Sequence, residues 1–371
     1  MKYIFLAGAP GSKWSSVSAD MRGFKGINTS DHHSGSYIKP GETAPMHTGA
    51  YWDPGMEFGD NFDQIRNIGT DELEYEFDRP FAHIDNDPRI IKSHQFCNWL
   101  PSIHDRKEWE YNPIVLVKRT PQECLEHWHK AGGWGITYPN YKWYRSQMEI
   151  EIGRQCEGID DFLDAHKSQQ VTSVRELANT LGMENTTDRH FDDFEVHVIL
   201  HPRLRYFKDS WGGGNIQQYK HSGPTTMDRI GENETILDVG CGRNHFKQFY
   251  DDKLVGIDPI NPAADHRVSI DEYVLREQFD HVLCYGSINF GTRLDIERQV
   301  RKVVQCTKPD GLIHWRMNPG RYDHKNAGQE SLDLFHWTVE AAFEMARRNG
   351  CDVEEFQDDS NNRHYSLWRK L

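Results

Sequence analysis

Thr235-Ile-Leu-Asp-Val-Gly-Cys-Gly-Arg-Asn244, followed by Leu254-Val-Gly-Ile-Asp258, is the stretch on which the reading of the fold turns. Ile236, Leu237 and Val239 make a short apolar run, as in a buried strand. The run breaks into Gly240-Cys241-Gly242, where glycines permit a tight turn and let a ligand approach the backbone. Asn244 to Tyr250 reads as the first turns of a helix, and a second apolar run ends at Asp258. Strand, glycine turn, helix, strand and acid compose one nucleotide-binding βαβ unit. The acid ends the second strand, where a carboxylate can accept both hydroxyls of a ribose.

Working outward, the chain is long enough for two domains, at 371 residues. Hydrophobic residues make up 37% and charged residues 27%, the balance of a soluble globular protein. The net charge of −14 argues against non-specific nucleic-acid binding, which needs a cationic face. Seven cysteines, an odd number with no C-x-x-C pair, point to buried thiols in a reducing compartment, so a cytoplasmic location is expected. The twenty histidines show no zinc-protease spacing, and no metal site is expected. No run is long enough to span a membrane.

The first apolar run, residues 2–8, is expected to be a strand rather than a signal peptide. It leads into Gly8-Ala-Pro10-Gly11-Ser12-Lys13-Trp14-Ser15-Ser16, then a helix through Met21. A glycine-containing turn at a helix start, with a lysine, is a phosphate cradle by mechanism. The Walker spacing G-x-x-x-x-G-K-[ST] is absent. Residues 25–70, with His32-His33 and Gly49-Ala-Tyr-Trp-Asp-Pro-Gly55, read as loops and short helices over a site, and 61–79 as holding a polar helix. Ile90-Ile91 is a short strand ending in Lys92-Ser93-His94. Ile114–Val117 is a continuous apolar run, as in a buried parallel strand, ending at Arg119 before a helix opened by Pro121. Ligands of open parallel sheets bind at the carboxyl ends of strands, so Lys13, His94 and Arg119 are expected to converge there.

These motifs resemble the sulfotransferases that use 3′-phosphoadenosine-5′-phosphosulfate (PAPS). Pro88-Arg89-Ile-Ile-Lys92-Ser93-His94 is similar to the strand that supplies their catalytic histidine, and Val117-Lys-Arg119-Thr-Pro121 to the strand that binds the 3′-phosphate. Pro10-Gly11-Ser12-Lys13 keeps the residue types of their phosphosulfate loop but moves the lysine by two places. His127 stands where a 3′-phosphate serine is expected. Ser173–Gly182 resembles a helix near the end of that domain. The resemblance covers roughly residues 1–200. It implies His94 as base, Lys13 as the cation on the departing phosphate with Lys92 as a second candidate, and Pro10, Gly11, Ser12, Lys13, Ser15, Arg119 and His127 around the donor. The chemistry agrees: a neutral histidine takes a hydroxyl proton near pH 7, and arginine grips phosphate bidentately. Tyr138, Tyr141, Trp143 and Tyr144 form either an acceptor-binding wall or a helix-packing face.

Glycine, proline and polar residues cluster over 205–232, including Trp211-Gly-Gly-Gly214, and a domain boundary is expected there. Beyond Asp258 the sequence reads as a third strand Val268–Asp271, a fourth from Phe279 ending near Ser287-Ile-Asn289, a helix Asp295–Val304 and a fifth strand Leu312–Trp315. A helix over about 332–349 follows, then a terminal antiparallel hairpin. This order resembles the class I S-adenosyl-L-methionine (SAM) dependent methyltransferases, through Asp238-Val-Gly-Cys-Gly242, Gly-Ile-Asp258, Phe279-Asp280 and Lys308-Pro-Asp-Gly311. The resemblance implies that Asp238, Gly240 and Gly242 hold the methionine part of SAM, Asp258 the ribose and Asp271 the adenine amine. Ser287 and Asn289 are then the residues near the methyl group, with His314 and His245 as candidate bases.

The expectation is therefore an α/β chain of two three-layer α/β/α domains. Residues 1–205 make a P-loop, sulfotransferase-like parallel sheet; 206–230 are a linker; 231–371 make a Rossmann-like methyltransferase sheet with an antiparallel terminal strand. The function expected is a two-domain transferase acting on a small-molecule or glycan acceptor. The alternatives are a methyltransferase carrying a degenerate P-loop domain that only binds or phosphorylates an acceptor, or a non-catalytic scaffold.

Overall fold

The computed structural model describes residues 1–31, 68–130, 145–185, 187–209, 219–319 and 334–371. His32-His33, the 49–55 segment, the aromatic residues of 138–144 and Trp211–Gly214 lie outside the described residues. The chain divides into two compact units, Met1–His201 and Pro202–Leu371.

In the first unit, β1 (Tyr3–Gly8) is flanked by β2 (Arg89–Lys92) and β3 (Ile114–Lys118), both parallel to it. β4 (Ser168–Val171) and β5 (Glu195–Ile199) complete the order β2-β1-β3-β5-β4. β5 runs antiparallel to both β3 and β4, so the sheet is mixed rather than the parallel sheet expected. All six residues of β1 are buried because both faces are covered. Ile4 and Leu6 face Val17 and Met21 of α1 (Trp14–Met21) and Leu177 and Leu181 of α6 (Val174–Leu181). Tyr3, Phe5 and Ala7 face Leu73 and Phe77 of α2 (Thr70–Asp78), α3 (Leu100–His104) and α5 (Arg145–Ala165). α4 (Pro121–Lys130) follows β3. Helix α6 is punctuated as its sequence dictates: Ser173 accepts from the Glu176 N–H at the N-cap, and Gly182 takes a left-handed φ of 68° at the C-terminus.

In the second unit the order is β10-β11-β9-β8-β6-β7. These strands are β6 (Ile236–Val239), β7 (Leu254–Ile257), β8 (Phe279–Tyr285), β9 (Thr307–Met317), β10 (Cys351–Asp359) and β11 (Arg363–Lys370). The first four are mutually parallel, and β11 enters antiparallel between β9 and β10. One face packs on α10 (Arg293–Cys306) and α11 (Val339–Arg348), through Ile296, Val300, Ala342 and Met345. The other carries Ile236, Leu254 and Leu283 beneath Phe246, Met227 and Ile230. The expected third strand is reduced to a single parallel bridge, Ile257 to His266, so Val268–Asp271 is not a strand. The helix after the glycine turn is one turn long, α9 (Lys247–Tyr250). α7 (Pro202–Asp209) and α8 (Pro224–Met227) belong to this unit.

Residues 219–222 are bound to the sheet through one carboxylate. Buried Asp359 accepts from Lys220 N (2.8 Å), His221 N (3.0 Å), Ser222 Oγ (2.6 Å) and Arg316 Nε (3.2 Å). The Arg316 guanidinium lies 3.9 Å from the Tyr219 ring centroid. Asp359→Ala leaves a buried guanidinium without its counter-charge, which costs about 3–5 kcal/mol. Denaturant unfolding of the full chain, followed by tryptophan fluorescence, is expected to lose that much in the transition of the second unit; a loss under about 1 kcal/mol would show that the segment is anchored elsewhere.

Candidate functional site

The second unit builds its site where β6 and β7 end. Gly240 (φ 69°) and Gly242 (φ 54°) both take left-handed backbone, and Gly240 N and Cys241 N donate to Ile257 O at 2.8 and 3.1 Å. A Cβ on Gly240 would stand 2.4 Å from Cβ of Ser287, so only glycine lets the loop after β8 approach the turn. Asn244, in the third glycine's place, adopts φ 54°, a conformation asparagine tolerates. Its amide donates to Ala263 O at 3.0 Å, and its Oδ1 lies 2.5 Å from where a Gly256 Cβ would sit. Gly256 in Val-Gly-Ile-Asp258 is thus required by Asn244, a constraint that the sequence reading did not extract.

Asp258 braces the turn. Its Oδ2 accepts from Gly242 N (3.1 Å), and its Oδ1 from Ile260 N and Asn261 N (both 2.9 Å). Burial raises its pKa; the three N–H groups and Arg267 oppose that rise. Asp238, buried within β6, is pushed up to about 7, first by burial and then by the charge of Asp258. Ser287 Oγ is buried and has no hydrogen-bond partner among the described residues.

Asp238, Gly240, Gly242, Asp258 and Ser287 therefore gather at one edge of the sheet. Asn289 uses its Oδ1 to accept from Asn318 N (3.0 Å), tying the ends of β8 and β9 together. Asp271 forms a two-pronged pair with Arg298, Nε at 3.1 Å and Nη2 at 3.2 Å. His314 is fully buried with both nitrogens occupied, by His281 Nδ1 (3.0 Å) and Tyr365 Oη (3.1 Å). Burial and the neighbouring His281 and Arg229 hold it well below the usual histidine range, so it is a satisfied core residue and not a base. His245 is exposed.

The first unit gathers its cations where β1 and β3 end. Lys13, the residue before α1, has φ 72° and pairs with the Asp193 carboxylate. Arg119 donates to Asp193 O (2.8 Å) and to Gly11 O (3.3 Å). His127 lies near both cations: burial, then Arg119 and Lys13, lower its pKa. Pro10 and Ser12 are buried in the loop, and Ser12 Oγ has no partner among the described residues. Ser15 is half-buried in the first turn of α1. Gly11 (φ 86°) cannot carry a side chain, since its Cβ would stand 1.9 Å from Cys124 O.

His94 and Lys92 are placed differently. Gln155 donates its amide both to Glu151 Oε1 (2.8 Å) and to His94 Nδ1 (3.1 Å). With Nδ1 accepting, the ring proton sits on Nε2, so in this arrangement Nε2 is a donor. Lys92 is buried in β2, and burial pulls its ammonium down to about 7 against the charge of Asp31.

No protein-family model matches the chain. No curated protein matches it. Among solved structures it is similar to the 1,6-didemethyltoxoflavin-N1-methyltransferase of Burkholderia thailandensis, at 14% identity and a TM-score of 0.33, over 39% of this chain and 74% of that one. It is similar also to CalS10, an amino pentose methyltransferase of Micromonospora echinaspora, at 16% identity and 0.32, over 40% and 89%. A third is the PH0226 protein of Pyrococcus horikoshii, at 15% identity and 0.36, over 46% and 97%. With identities this low, activity is read from the site's own residues.

A carboxyl whose folded pKa lies above its unfolded value costs stability once pH exceeds the folded pKa, and the cost fades as pH falls toward the unfolded value. Asp238, raised from 3.8 to about 7, costs the ligand-free chain at most about 4 kcal/mol above pH 7. Asp238→Asn is expected to stabilise the ligand-free second unit at pH 8, by a margin that shrinks steadily down to pH 5. Equal margins at both pH values would mean that Asp238 is not held up by burial.

Proposed function

We propose that the second unit is a SAM-dependent methyltransferase. The observation that carries this reading is Asp238, a buried carboxyl beside a left-handed Gly240-Cys-Gly242 turn. Such a carboxyl needs a cationic donor to face it, and the amino group of SAM is one. The orphaned Ser287 Oγ fits the same ligand, as a polar atom facing the turn with no protein partner. SAM, when bound, supplies a methyl group activated by a sulfonium. The protein's part is to hold and orient: Asp238 faces the amino group, Gly240 and Gly242 let the chain pass close, and Asp258 accepts the ribose hydroxyls on the lone pairs its backbone bonds leave over. Methyl transfer is an in-line displacement, so fixed geometry supplies most of the rate. Asn289 and Asp271 are reassigned. Asn289 positions the loop after β8, and Asp271 is held by Arg298.

For the first unit we propose PAPS binding, with sulfuryl transfer to a hydroxyl of a small molecule or glycan. Lys13, Arg119 and His127 around one βα loop support an anionic ligand there. Asp193 now holds Lys13, so a bound anion has to displace that carboxylate. His94 serves as base only if Gln155 turns its amide, which also gives the buried Gln155 Oε1 a partner in an Nδ1–H. A first unit that binds nucleotide without turnover is the second reading, favoured by the Gln155 arrangement as it stands.

Calorimetric titration of the full chain with SAM tests the first proposal. Saturable binding is expected, tightening as pH rises through about 7 while Asp238 ionises. In Asp238→Asn that pH dependence should flatten, and in Asp258→Ala affinity should fall at least about tenfold in a second unit shown by circular dichroism to remain folded. Undiminished affinity in Asp258→Ala would sink the assignment. For the first unit, adenosine 3′,5′-bisphosphate is expected to bind the wild type and to lose at least about tenfold in Arg119→Ala. Sulfuryl transfer that survives His94→Ala would mean another base.

A further inference from the structure

Two thiols share one carbonyl beside the first unit's anion loop. Cys156 of α5 donates its S–H to Arg119 O at 3.6 Å, and Cys124 of α4 reaches the same oxygen at 4.0 Å. The two sulfurs also hydrogen-bond each other. They lie in a small cluster with Ala9, Met148 and Ile152; Cys124 is fully buried and Cys156 is 5% exposed. The remaining cysteine of this unit, Cys97, packs in a different cluster, with Phe96 and Ile159. The pair is asymmetric. The S–H of Cys124, and after it the charge of Lys118, pull the Cys156 thiol below its ordinary value against burial. The same contact, with burial, pushes Cys124 up. Cys156 is therefore the thiol that supplies a thiolate, and it is also the more open of the two.

We propose that a hydroperoxide joins Cys124 and Cys156 in a reversible disulfide that acts as a redox switch on the Gly11 loop. The Cys156 thiolate attacks one oxygen of hydrogen peroxide. An S–O bond forms, the O–O bond breaks, and hydroxide leaves and takes up a proton to become water. The Cys124 sulfur then attacks the sulfenic sulfur. The S–S bond forms, the S–O bond breaks, and the departing hydroxide leaves with the Cys124 proton as a second water. Two thiols are oxidised and one peroxide is reduced. A disulfide of this kind, formed transiently in a reducing compartment, serves sensing rather than stability. Three contacts carry the change outward. A bond of about 2.05 Å between sulfurs now in hydrogen-bond contact draws α4 toward α5 and removes both S–H donors from Arg119 O. The Arg119 guanidinium holds Gly11 O at 3.3 Å, and the Cys124 carbonyl fills the space a Gly11 Cβ would need. On α5, Gln155 precedes Cys156 and bonds His94 Nδ1. The effect on nucleotide rests on the anion-binding reading of the first unit; formation of the disulfide does not.

The test treats the full, reduced chain with hydrogen peroxide at neutral pH, alkylates the remaining thiols and maps the peptides. A Cys124–Cys156 disulfide that dithiothreitol removes is expected, with Cys97 still alkylated and circular dichroism unchanged. Amide hydrogen exchange at residues 9–13 is expected to quicken on oxidation, and affinity for adenosine 3′,5′-bisphosphate to fall at least about tenfold. Peroxide should leave exchange and affinity unchanged in Cys156→Ser, whereas Cys124→Ser should hold Cys156 as a sulfenic acid that dimedone traps. Both thiols intact, a different pairing, or a disulfide that leaves exchange at the Gly11 loop unaltered overturns the proposal. A reduced chain that does not bind the bisphosphate overturns the nucleotide reading instead, while the peptide map and the exchange still decide the switch.

Discussion

A strand buried on both faces has no place for charge except at its ends. Both sheets are covered on both sides, and their inner strands show it: β1 sends Ile4 and Leu6 one way and Tyr3 and Phe5 the other, while β6 sends Ile236 one way and Leu237 and Val239 the other. Polar chemistry is thereby confined to strand ends and the turns beyond them. Lys13, His94 and Arg119 obey this in the first unit, and Asp258 in the second. Asp238 is buried one residue in from the end of β6, as Arg316 is in β9. Burial and then the charge of Asp258 raise its pKa. Natural folds keep a carboxyl so raised where a ligand resolves it.

Close backbone approach is the second theme. Gly240 against Ser287, Gly256 against Asn244 and Gly11 against the carbonyl of Cys124 are three contacts in which a hydrogen stands where no carbon fits. Gly240–Ser287 and Gly11–Cys124 join segments remote in sequence. The glycine turn is therefore shaped by its neighbours as much as by its own glycines.

The legible parts of the chain were those with local causes. Apolar runs located β1, β2, β3, β6 and β8, and α6 was reached only through the family resemblance of Ser173–Gly182. The glycine turn and the acid at Asp258 were visible because their spacing is itself the structural requirement. What escaped notice had non-local causes. β4 reads Ser-Gln-Gln-Val and is largely exposed, so no hydrophobic signal marks it, and only its antiparallel partner makes it a strand. Val268–Asp271 has the composition of a strand, yet only His266 finds a bridge. Asp271 sits where a ligand acid is expected, but Arg298, from α10, claims it. His94 was recognised by its motif; the Gln155 that sets its tautomer lies on α5 and leaves no local trace.

The insertion of β11 between β9 and β10 also sets when the second sheet can close during synthesis. β3 is the centre of the first sheet, and the strand pairings there among the described residues end at Ile199. That unit has all its parts while later residues are still being synthesised. The second sheet cannot close until Lys370 has left the ribosome, because β10 has no partner before β11 arrives. Until then β9 exposes an unpaired edge.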